Sequence, residues 1–245
     1  MSNKIVVPHT AMVLAAGLGK RMRPITDTLP KPLVNVAGKA LIDWGLDSLA
    51  AAGVAKAVVN VHYLADKLEM HLAMRVQPEI RISDERAALL ESGGGIIRAL
   101  PLLGSDPFFL VNSDTFWLDE DEPNLVRLAK AFDPARMDIL LMLASHVQAT
   151  GHGDKSDFTI DNDGRISRFK EGAGSGFIYA GVGILHPRIF DGADKDAHSL
   201  NREFNAAIDD GRLFGLPMRG QWLTVGTPDA IAPAEAVVAR QMAPA

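Results

Sequence analysis

The chain has 245 residues, of which 47% are hydrophobic, so it can bury a sizeable core in one large α/β domain or two small ones. It contains no cysteine, which excludes disulfides and thiolate chemistry, and its formal net charge of −5 argues against binding nucleic acid through a broad surface. The sequence shows no apolar run near the roughly 20 residues that span a bilayer and no signal peptide, so we expect a cytoplasmic protein without a membrane partner.

Strand and helix patterns alternate along the first 144 residues. Short apolar runs predict strands over residues 11–15, 58–61, 80–82, 108–111 and 139–144, and helical spacing of apolar residues predicts helices over 41–52, 65–74 and 125–132. Gly53 is expected to end the first helix. This alternation predicts an α/β fold with a Rossmann-like mixed, mainly parallel sheet that is flanked by helices.

The loop after the first strand carries most of the chemistry. Residues 14–32 read Leu-Ala-Ala-Gly-Leu-Gly-Lys-Arg-Met-Arg-Pro-Ile-Thr-Asp-Thr-Leu-Pro-Lys-Pro. Gly17 and Gly19 let the backbone turn sharply and bring N–H groups close to an anion. Arg21 can grip a phosphate with two N–H bonds, and Lys31, held between two prolines, is a compact positive charge. The loop is therefore expected to bind phosphates.

Two common phosphate-binding motifs do not fit this loop. It lacks the third glycine of the dinucleotide fingerprint, and it lacks the spacing and the Lys-Ser/Thr pair of the P-loop. A short Gly-x-Gly with basic neighbours also occurs in ordinary solvated loops. The long ordered string of residues favours a phosphate site over that alternative.

Asp114 ends the apolar stretch Phe-Phe-Leu-Val-Asn-Ser-Asp at 108–114. Ligands of open α/β folds usually bind at the carboxyl ends of the strands. Because Mg²⁺ prefers one or two carboxylates together with phosphate oxygens, Asp114 is the predicted magnesium ligand. The alternative is a carboxylate that caps a turn or a helix.

The pattern changes after residue 156. Two short strands, 158–161 and 166–170, flank Asp-Asn-Asp-Gly at 161–164, which is a strong hairpin signal. The Ala/Pro-rich end, 232–245, is expected either to hold a terminal helix or to be weakly ordered. We expect one domain over 1–245, with halves at 10–150 and 151–230 and a helix or tail at 231–245.

In this order, the motifs resemble those of the sugar-1-phosphate nucleotidyltransferase family. Besides the loop at 14–32, the resemblance rests on Leu-Glu-Ser-Gly-Gly-Gly-Ile at 90–96, Val-Asn-Ser-Asp at 111–114, Tyr-Ala-Gly-Val-Gly at 179–183 and Trp-Leu-Thr-Val-Gly-Thr-Pro at 222–228. It implies the nucleotide-diphospho-sugar transferase fold and transfer of a nucleotidyl group from a nucleoside triphosphate to a sugar 1-phosphate, with release of pyrophosphate. The chain looks most like a small bacterial branch that uses UTP and the amino sugar N-acetylmuramic acid 1-phosphate.

The resemblance also implies roles for individual residues. Arg21 corresponds to an arginine that contacts the outgoing phosphates, and Lys31 to a lysine that bridges the reacting phosphates. The positions assigned to nucleotide binding are Leu14, Ala16, Gly17, Gly19, Gly93, Gly94 and Asn112. As an alternative, Ser92 and the glycines after it form an ordinary capped helix start before an apolar helical stretch at 96–100. Glu85 and Glu91 are expected to be exposed carboxylates, with a hydrogen bond to the substrate as the alternative for either residue.

The second half of the chain is expected to carry the β-rich, sugar-binding part. Gly181 corresponds to a glycine whose backbone meets the hexose, and Glu171 to a carboxylate that accepts sugar hydroxyls. Asn60, which follows an apolar strand, is expected to face the same cleft. A lysine that often follows the glutamate in the family is replaced here by Gly172.

One position departs from the family pattern. The family commonly has an aspartate before Val-Gly as a second magnesium ligand, and this chain has Thr224 there. Because a threonine hydroxyl is neutral and a weak Mg²⁺ ligand, the alternative hypothesis is a catalytically weak sugar-nucleotide binding or regulatory module. A glycosyltransferase with a similar sheet would want a paired Asp-x-Asp, and residues 112–114 offer one acid. The residues alone leave the nucleotide and the sugar open.

Overall fold

The structure is a computed structural model that describes residues 7–172 and 175–242. Its strands are β1 (Thr10–Leu14), β2 (Asn35–Val36), β3 (Lys39–Ala40), β4 (Lys56–Val61), β5 (Glu79–Asp84), β6 (Phe108–Asn112), β7 (Thr115–Leu118), β8 (Ile139–Ala144), β9 (Ala149–Thr150), β10 (Phe158–Ile160), β11 (Ile166–Arg168), β12 (Ile178–Leu185), β13 (Leu213–Pro217) and β14 (Gln221–Thr224). Its α-helices are α1 (Leu41–Ala51), α2 (Ala65–Leu72), α3 (Glu91–Leu103), α4 (Asn124–Ala131), α5 (Asn201–Asp209) and α6 (Ile231–Met242). Within these described ranges, every helix is too short or too polar to pass through a bilayer.

Seven strands form the main sheet in the order β13-β8-β12-β6-β1-β4-β5. Strands β6, β1, β4 and β5 run parallel to one another and β13 runs parallel to β8, whereas β12 is antiparallel to both of its neighbours. The five strands predicted in the first 144 residues correspond to β1, β4, β5, β6 and β8. The prediction of a mixed, mainly parallel sheet flanked by helices is confirmed.

Helices cover both faces of this sheet, because successive strand residues point to opposite faces. In β1, Val13 belongs to the apolar cluster that contains Leu46 of α1. The preceding residue, Met12, belongs to the cluster that contains Ile96 of α3. All four side chains are buried. The two apolar clusters fix the strands, so the loops at the carboxyl ends of the strands start from a rigid base.

Smaller sheets surround the main one. Strands β7, β14 and β9 form a three-stranded sheet, and the Phe116 ring of β7 stacks on Trp44 of α1 at 4.7 Å between ring centroids. Strands β10 and β11 pair as an antiparallel hairpin around the turn at 161–164, as predicted. The terminal segment forms α6, which packs against the three-stranded sheet through a third apolar cluster. Residues 243–245, the end of the predicted tail, lie outside the described residues.

Several predicted boundaries were wrong by one or two residues, for example in α2, which ends at Leu72 rather than at residue 74. The largest difference lies in α3, which begins at Glu91, so that the three glycines are part of the helix rather than a segment before it. Strand β12 was not predicted as a strand. Its glycines, Gly181 and Gly183, lower the strand propensity of an otherwise apolar run.

Candidate active site

A cleft of about 550 Å³ lies at the carboxyl ends of β1, β4 and β6, where a mainly parallel sheet places its ligands. It is lined by residues 14–21, 31, 32, 60, 89, 91, 92, 112–114 and 226. Nine residues assigned a role from the sequence therefore share one cleft: Leu14, Ala16, Gly17, Gly19, Arg21, Lys31, Asn60, Asn112 and Asp114. They come from four separate segments of the chain, which the parallel strands bring together.

Gly19 allows the first loop to fold tightly. Its φ of +62° lies in the left-handed region, and a Cβ at this position would come within 3.0 Å of Thr26 and 3.1 Å of the Lys31 Cβ. The Gly19 carbonyl accepts hydrogen bonds from the Thr26 hydroxyl at 2.8 Å and from the Met22 N–H at 2.9 Å. Glycine allows this close approach without crowding or backbone strain, and the fold of the loop brings the segment that carries Lys31 next to the start of the loop.

Lys31 and Asp114 form an ion pair inside the cleft. The Lys31 Nζ lies 2.6 Å from the Asp114 Oδ2, and the exposed fractions of the two side chains are 13% and 32%. Pro30 has an extended backbone, and the turn Lys31–Leu33 begins directly after it, which fixes the backbone from which the lysine side chain extends. The partly exposed carboxylate of Asp114 remains accessible from the cleft.

Arg21 lies on a second glycine segment. A Cβ on Gly226 would lie 3.4 Å from the Arg21 guanidinium, so the arginine packs directly over the Val-Gly-Thr segment that follows β14. The short turn Lys20–Met22 carries the side chain, and buried Met22 anchors that turn in the third apolar cluster. Together with Lys20 and Lys31, Arg21 makes this end of the cleft strongly cationic.

The floor of the cleft is held by a buried polar network. Asn60 accepts a hydrogen bond from the Ala15 N–H at 2.7 Å and donates one to the Glu85 Oε1 at 2.8 Å. The other Glu85 oxygen accepts a bond from the Leu90 N–H at 3.2 Å. The expectation that Glu85 is exposed was wrong, since only 1% of its surface is accessible. Asn60 lines the cleft, but both ends of its amide already serve the network.

Three successive glycines pack against three different partners. A Cβ on Gly93 would lie 2.3 Å from the His198 ring, and one on Gly94 would lie 2.5 Å from the Asp196 carbonyl. A Cβ on Gly95 would lie 2.7 Å from the Glu85 Oε1. The structure therefore explains the triple glycine through tertiary packing of α3.

Gly93 and Gly94, which the sequence analysis assigned to nucleotide binding, lie outside the lining of the cleft in this structure. Both residues are buried, neither lines the cleft, and their N–H groups donate to the His198 carbonyl at 2.8 and 3.4 Å. Ser92 and Glu91, directly before them, do line the cleft. Ser92 accepts a hydrogen bond from the Leu200 N–H at 2.9 Å, so the segment at 196–200 braces the start of α3.

The residues assigned to the sugar lie apart from one another. Gly181, with φ of +75°, sits at a register shift of β12, where a Cβ would come within 2.6 Å of Thr115 and 3.1 Å of Asn112. It is buried directly behind the cleft wall. Glu171 is exposed in the turn after β11 and does not line the cleft. The structure thus brings Gly181, but not Glu171, next to Asn112 in the wall of the cleft.

Thr224 lies beside the predicted metal ligand. In the three-stranded sheet Thr224 pairs with Thr115, the residue after Asp114, and the Val225 N–H donates to the Asp114 carbonyl at 3.0 Å. Within residues 7–172 and 175–242, no group of three or more His, Asp or Glu side chains converges as a ready-made metal site. A cation in the cleft would therefore rely on Asp114 and on oxygens of the ligand.

Tyr179 completes the wall behind Asp114. Burial of its hydroxyl, together with the negative charges of Asp114 and Asp157, raises the pKa of the Tyr179 phenol well above its usual value, so the side chain is neutral at any working pH. The hydroxyl is buried and makes no hydrogen bond to the described residues. The ring packs edge-on against Phe204 at 5.6 Å between centroids.

Comparisons with known proteins agree with this geometry. The profile of the nucleotidyl transferase family matches residues 10–241. The chain is 47% identical over 237 residues to N-acetylmuramate alpha-1-phosphate uridylyltransferase of Caulobacter vibrioides, covering 95% of this chain and 98% of that protein. It is 39% identical over 220 residues to the enzyme of the same name from Neisseria meningitidis serogroup B, covering 89% and 93%.

Solved structures show the same fold at lower sequence identity. The inositol-1-phosphate CTP transferase of T. maritima superposes with a TM-score of 0.78 at 20% identity, covering 98% of this chain and 99% of that one. A UDP-glucose pyrophosphorylase complexed with UDP-glucose superposes with a TM-score of 0.74 at 16% identity, covering 95% and 98%. The expected nucleotide-diphospho-sugar transferase fold is confirmed.

Proposed function

This chain belongs to the nucleotidyl transferase family, and from that membership we propose that it transfers the uridylyl group of UTP to N-acetylmuramic acid α-1-phosphate and releases pyrophosphate. The choice of UTP and of this amino sugar follows the two relatives, which span almost the same length as this chain. Both substrates are anions, and the cationic end of the cleft suits them.

The observation that carries the proposal is the pairing of Lys31 with Asp114 in the same cleft as Arg21. A flexible ammonium, a fork-shaped guanidinium and a carboxylate converge there from three segments of the chain. Cations neutralise phosphate charge, and a carboxylate among them suits a divalent cation. A structural ion pair without a catalytic role would not require a cleft with two further cations around it.

The reaction needs positioning and charge neutralisation more than proton transfer. An oxygen of the sugar phosphate attacks the α-phosphorus of UTP, and the bond from that phosphorus to the bridging oxygen of the β-phosphate breaks as pyrophosphate leaves. The attacking phosphate is already ionised, so no side chain has to remove a proton. We assign to Lys31 the reacting phosphates and to Arg21 the departing pyrophosphate, where negative charge increases in the transition state.

We propose Asp114 as the protein ligand of a bound Mg²⁺. The residues present fit this ion, because Mg²⁺ is commonly held by one or two carboxylates plus phosphate oxygens, and Asp114 is partly exposed in the cleft. Such an ion neutralises phosphate charge and orients the triphosphate. When the site is loaded, Lys31 is free to turn from Asp114 toward the phosphates.

The remaining assignments follow from position. We propose that the backbone at Leu14, Ala16 and Gly17, together with Asn112, holds the nucleotide. We also propose that Gly181, which lies behind Asn112, shapes the part of the cleft that binds the sugar. We further propose that the chain acts as one domain, with a nucleotide half at 10–150 and a sugar half at 151–230. The shared main sheet supports this, since β12 and β13 of the second half lie in the same sheet as β1.

Pyrophosphate release tests the proposal. The purified chain is incubated with UTP, N-acetylmuramic acid 1-phosphate and Mg²⁺, and released pyrophosphate is followed with a coupled phosphate assay, with ATP, CTP, GTP and glucose 1-phosphate in parallel. We expect pyrophosphate only when a sugar 1-phosphate is present, and most rapidly with UTP. Nucleotide binding without pyrophosphate from any pair would support the binding-module alternative instead.

A further inference from the structure

Glu91 has an unusual backbone for its residue type. Its φ of +59° lies in the left-handed region, where a residue with a Cβ is sterically strained and glycine is not. Two other non-glycine residues of the described ranges share this feature, Ala37 and Leu64, and neither lines the cleft. Strained residues cluster at ligand sites, where their function retains them, and Glu91 lies at the edge of such a cleft.

The position of Glu91 relative to the cationic end of the cleft follows from the strand order. Asp114 follows β6, while Asn60 lies at the end of β4, and β1 separates these two strands in the sheet. Helix α3, which begins at Glu91, packs against β1, β4 and β5, and its Gly95 lies against Asn60 and Glu85. Glu91 is therefore at the end of the cleft opposite the Lys31–Asp114 pair.

The Glu91 carboxylate is available to a ligand. The side chain is exposed, lines the cleft, and has no hydrogen bond or ion pair with the residues that the structure describes. A triphosphate bound with its phosphates at the cationic end extends its nucleoside toward this opposite end. An anionic side chain there cannot serve the phosphates, so it is suited to hydrogen-bond donors of the nucleoside.

We propose that Glu91 determines base specificity by accepting a hydrogen bond from the N3–H of uracil, an inference that rests on the proposed function. An ionised carboxylate only accepts hydrogen bonds. Uracil presents an N–H at position 3, whereas cytosine presents a lone pair at the same place, which a carboxylate would repel. A site that accepts a hydrogen bond from an N–H group of its substrate discriminates strongly against an analogue that lacks this N–H group.

The test compares kcat/KM for UTP and CTP in the intact protein and in three variants. Glu91→Gln keeps the length and the strained backbone but gains N–H donors that cytosine N3 can accept. We expect its preference for UTP over CTP to fall by at least about tenfold, which is the scale of one lost hydrogen bond to a charged group. Glu91→Ala and Glu91→Gly are expected to lose the preference as well, through slower use of UTP.

Stability supplies an independent readout. Glu91→Gly is expected to melt at a higher temperature than Glu91→Ala, because glycine relieves the left-handed strain that alanine keeps. Ala37→Gly is the matched control, since it relieves the same strain in the hairpin turn between β2 and β3 and should leave the UTP preference unchanged.

The possible outcomes separate the inference from the proposed function. If Glu91→Gln lowered kcat/KM equally for UTP and CTP, the carboxylate would contact the ribose and the inference would be overturned. Values of kcat/KM unchanged for both nucleotides would overturn it as well. In both cases pyrophosphate production from UTP by the unaltered chain would still support the proposed function. A lack of pyrophosphate with the unaltered chain would instead overturn the proposed function itself.

Discussion

The Lys31 ammonium lies 2.6 Å from Oδ2 of Asp114, although 83 residues separate the two in the chain. The glycine turn at Gly19 makes this contact possible, because any Cβ there would press on Lys31 and Thr26. In the free protein the ion pair holds the ammonium and the carboxylate next to each other inside the cleft. In the proposed mechanism each partner has a separate use, the lysine for phosphates and the carboxylate for a divalent cation.

Lys31→Ala should therefore lower turnover by at least about two orders of magnitude, the usual cost of removing one electrostatic stabiliser. The expected effect is on kcat in the pyrophosphate assay. Lys39→Ala is a matched control, because Lys39 also pairs with an aspartate, Asp47 at 2.7 Å, but on the surface away from the cleft. Near-normal turnover in Lys31→Ala, or an equal loss in both variants, would remove Lys31 from the mechanism.

Thr224→Asp should reduce the Mg²⁺ concentration needed for half-maximal activity. Thr224 pairs with Thr115 beside Asp114, so an aspartate there would place a second carboxylate near the proposed metal ligand. The measurement is pyrophosphate release against Mg²⁺ concentration, after a chelator has first abolished activity. Thr224→Asn, which is similar in size but neutral, is the control. An unchanged Mg²⁺ requirement in Thr224→Asp would mean that position 224 does not face the metal.

The contrast between what the sequence predicted and what it missed has a physical basis. Strand β8 was predicted with its observed boundaries because all six of its residues are apolar and buried. The loop at 14–32, which lines the cleft, could be singled out because its glycines, Arg21 and Lys31 lie close together in the sequence. Such local patterns can be read from one chain.

Contacts between distant segments leave no such local pattern. The fit of Gly93 against His198 joins residues about a hundred positions apart, and Glu85 is buried only because Asn60 and Leu90 surround it. A glutamate in a polar stretch gives no sign of that environment. The role of the triple glycine and the burial of Glu85 therefore required the structure.

Gly93→Ala should destabilise the protein by roughly 1–3 kcal/mol, the range for an overpacked site, because its Cβ would meet the His198 ring at 2.3 Å. Combining it with His198→Ala should recover part of the loss, and urea unfolding of the four proteins of the cycle measures the coupling. Gly153→Ala, where a Cβ would meet nothing within 4 Å, is the control. Strict additivity of the two substitutions would show that the ring is not the obstacle.

Glu85→Ala should leave the buried Asn60 amide N–H and the partly buried Leu90 N–H without a partner, at about 1–3 kcal/mol for the buried group. Because Asn60 also accepts from the Ala15 N–H, the first loop should loosen and the KM for UTP should rise. Urea unfolding and initial rates measure the two effects. Glu79→Ala, on the exposed edge strand β5, is the matched control. A stability loss with an unchanged KM would limit Glu85 to a structural role.

The buried phenol of Tyr179 should make the free energy of unfolding fall at alkaline pH. Burial, with the charges of Asp114 and Asp157, raises the pKa of its phenol above the usual value of 10.0, so the unfolded chain ionises at a lower pH than the folded one. The contribution to stability is therefore complete below pH 10.0 and is lost as the pH rises above it. Tyr179→Phe should show a smaller fall in unfolding free energy between about pH 9 and about pH 11 than the unaltered chain.

The chain has two tyrosines, so ultraviolet absorbance of tyrosinate can be assigned. In a Tyr63→Phe variant Tyr179 is the remaining tyrosine, and at about pH 11 the folded protein should show almost no tyrosinate absorbance until it unfolds. Tyr179→Phe also removes a buried hydroxyl that lacks a partner, so it should not be less stable than the unaltered chain at neutral pH. Ready ionisation of Tyr179 in the folded Tyr63→Phe variant would show that the wall behind Asp114 admits water, and the neutral role of this residue would have to be abandoned.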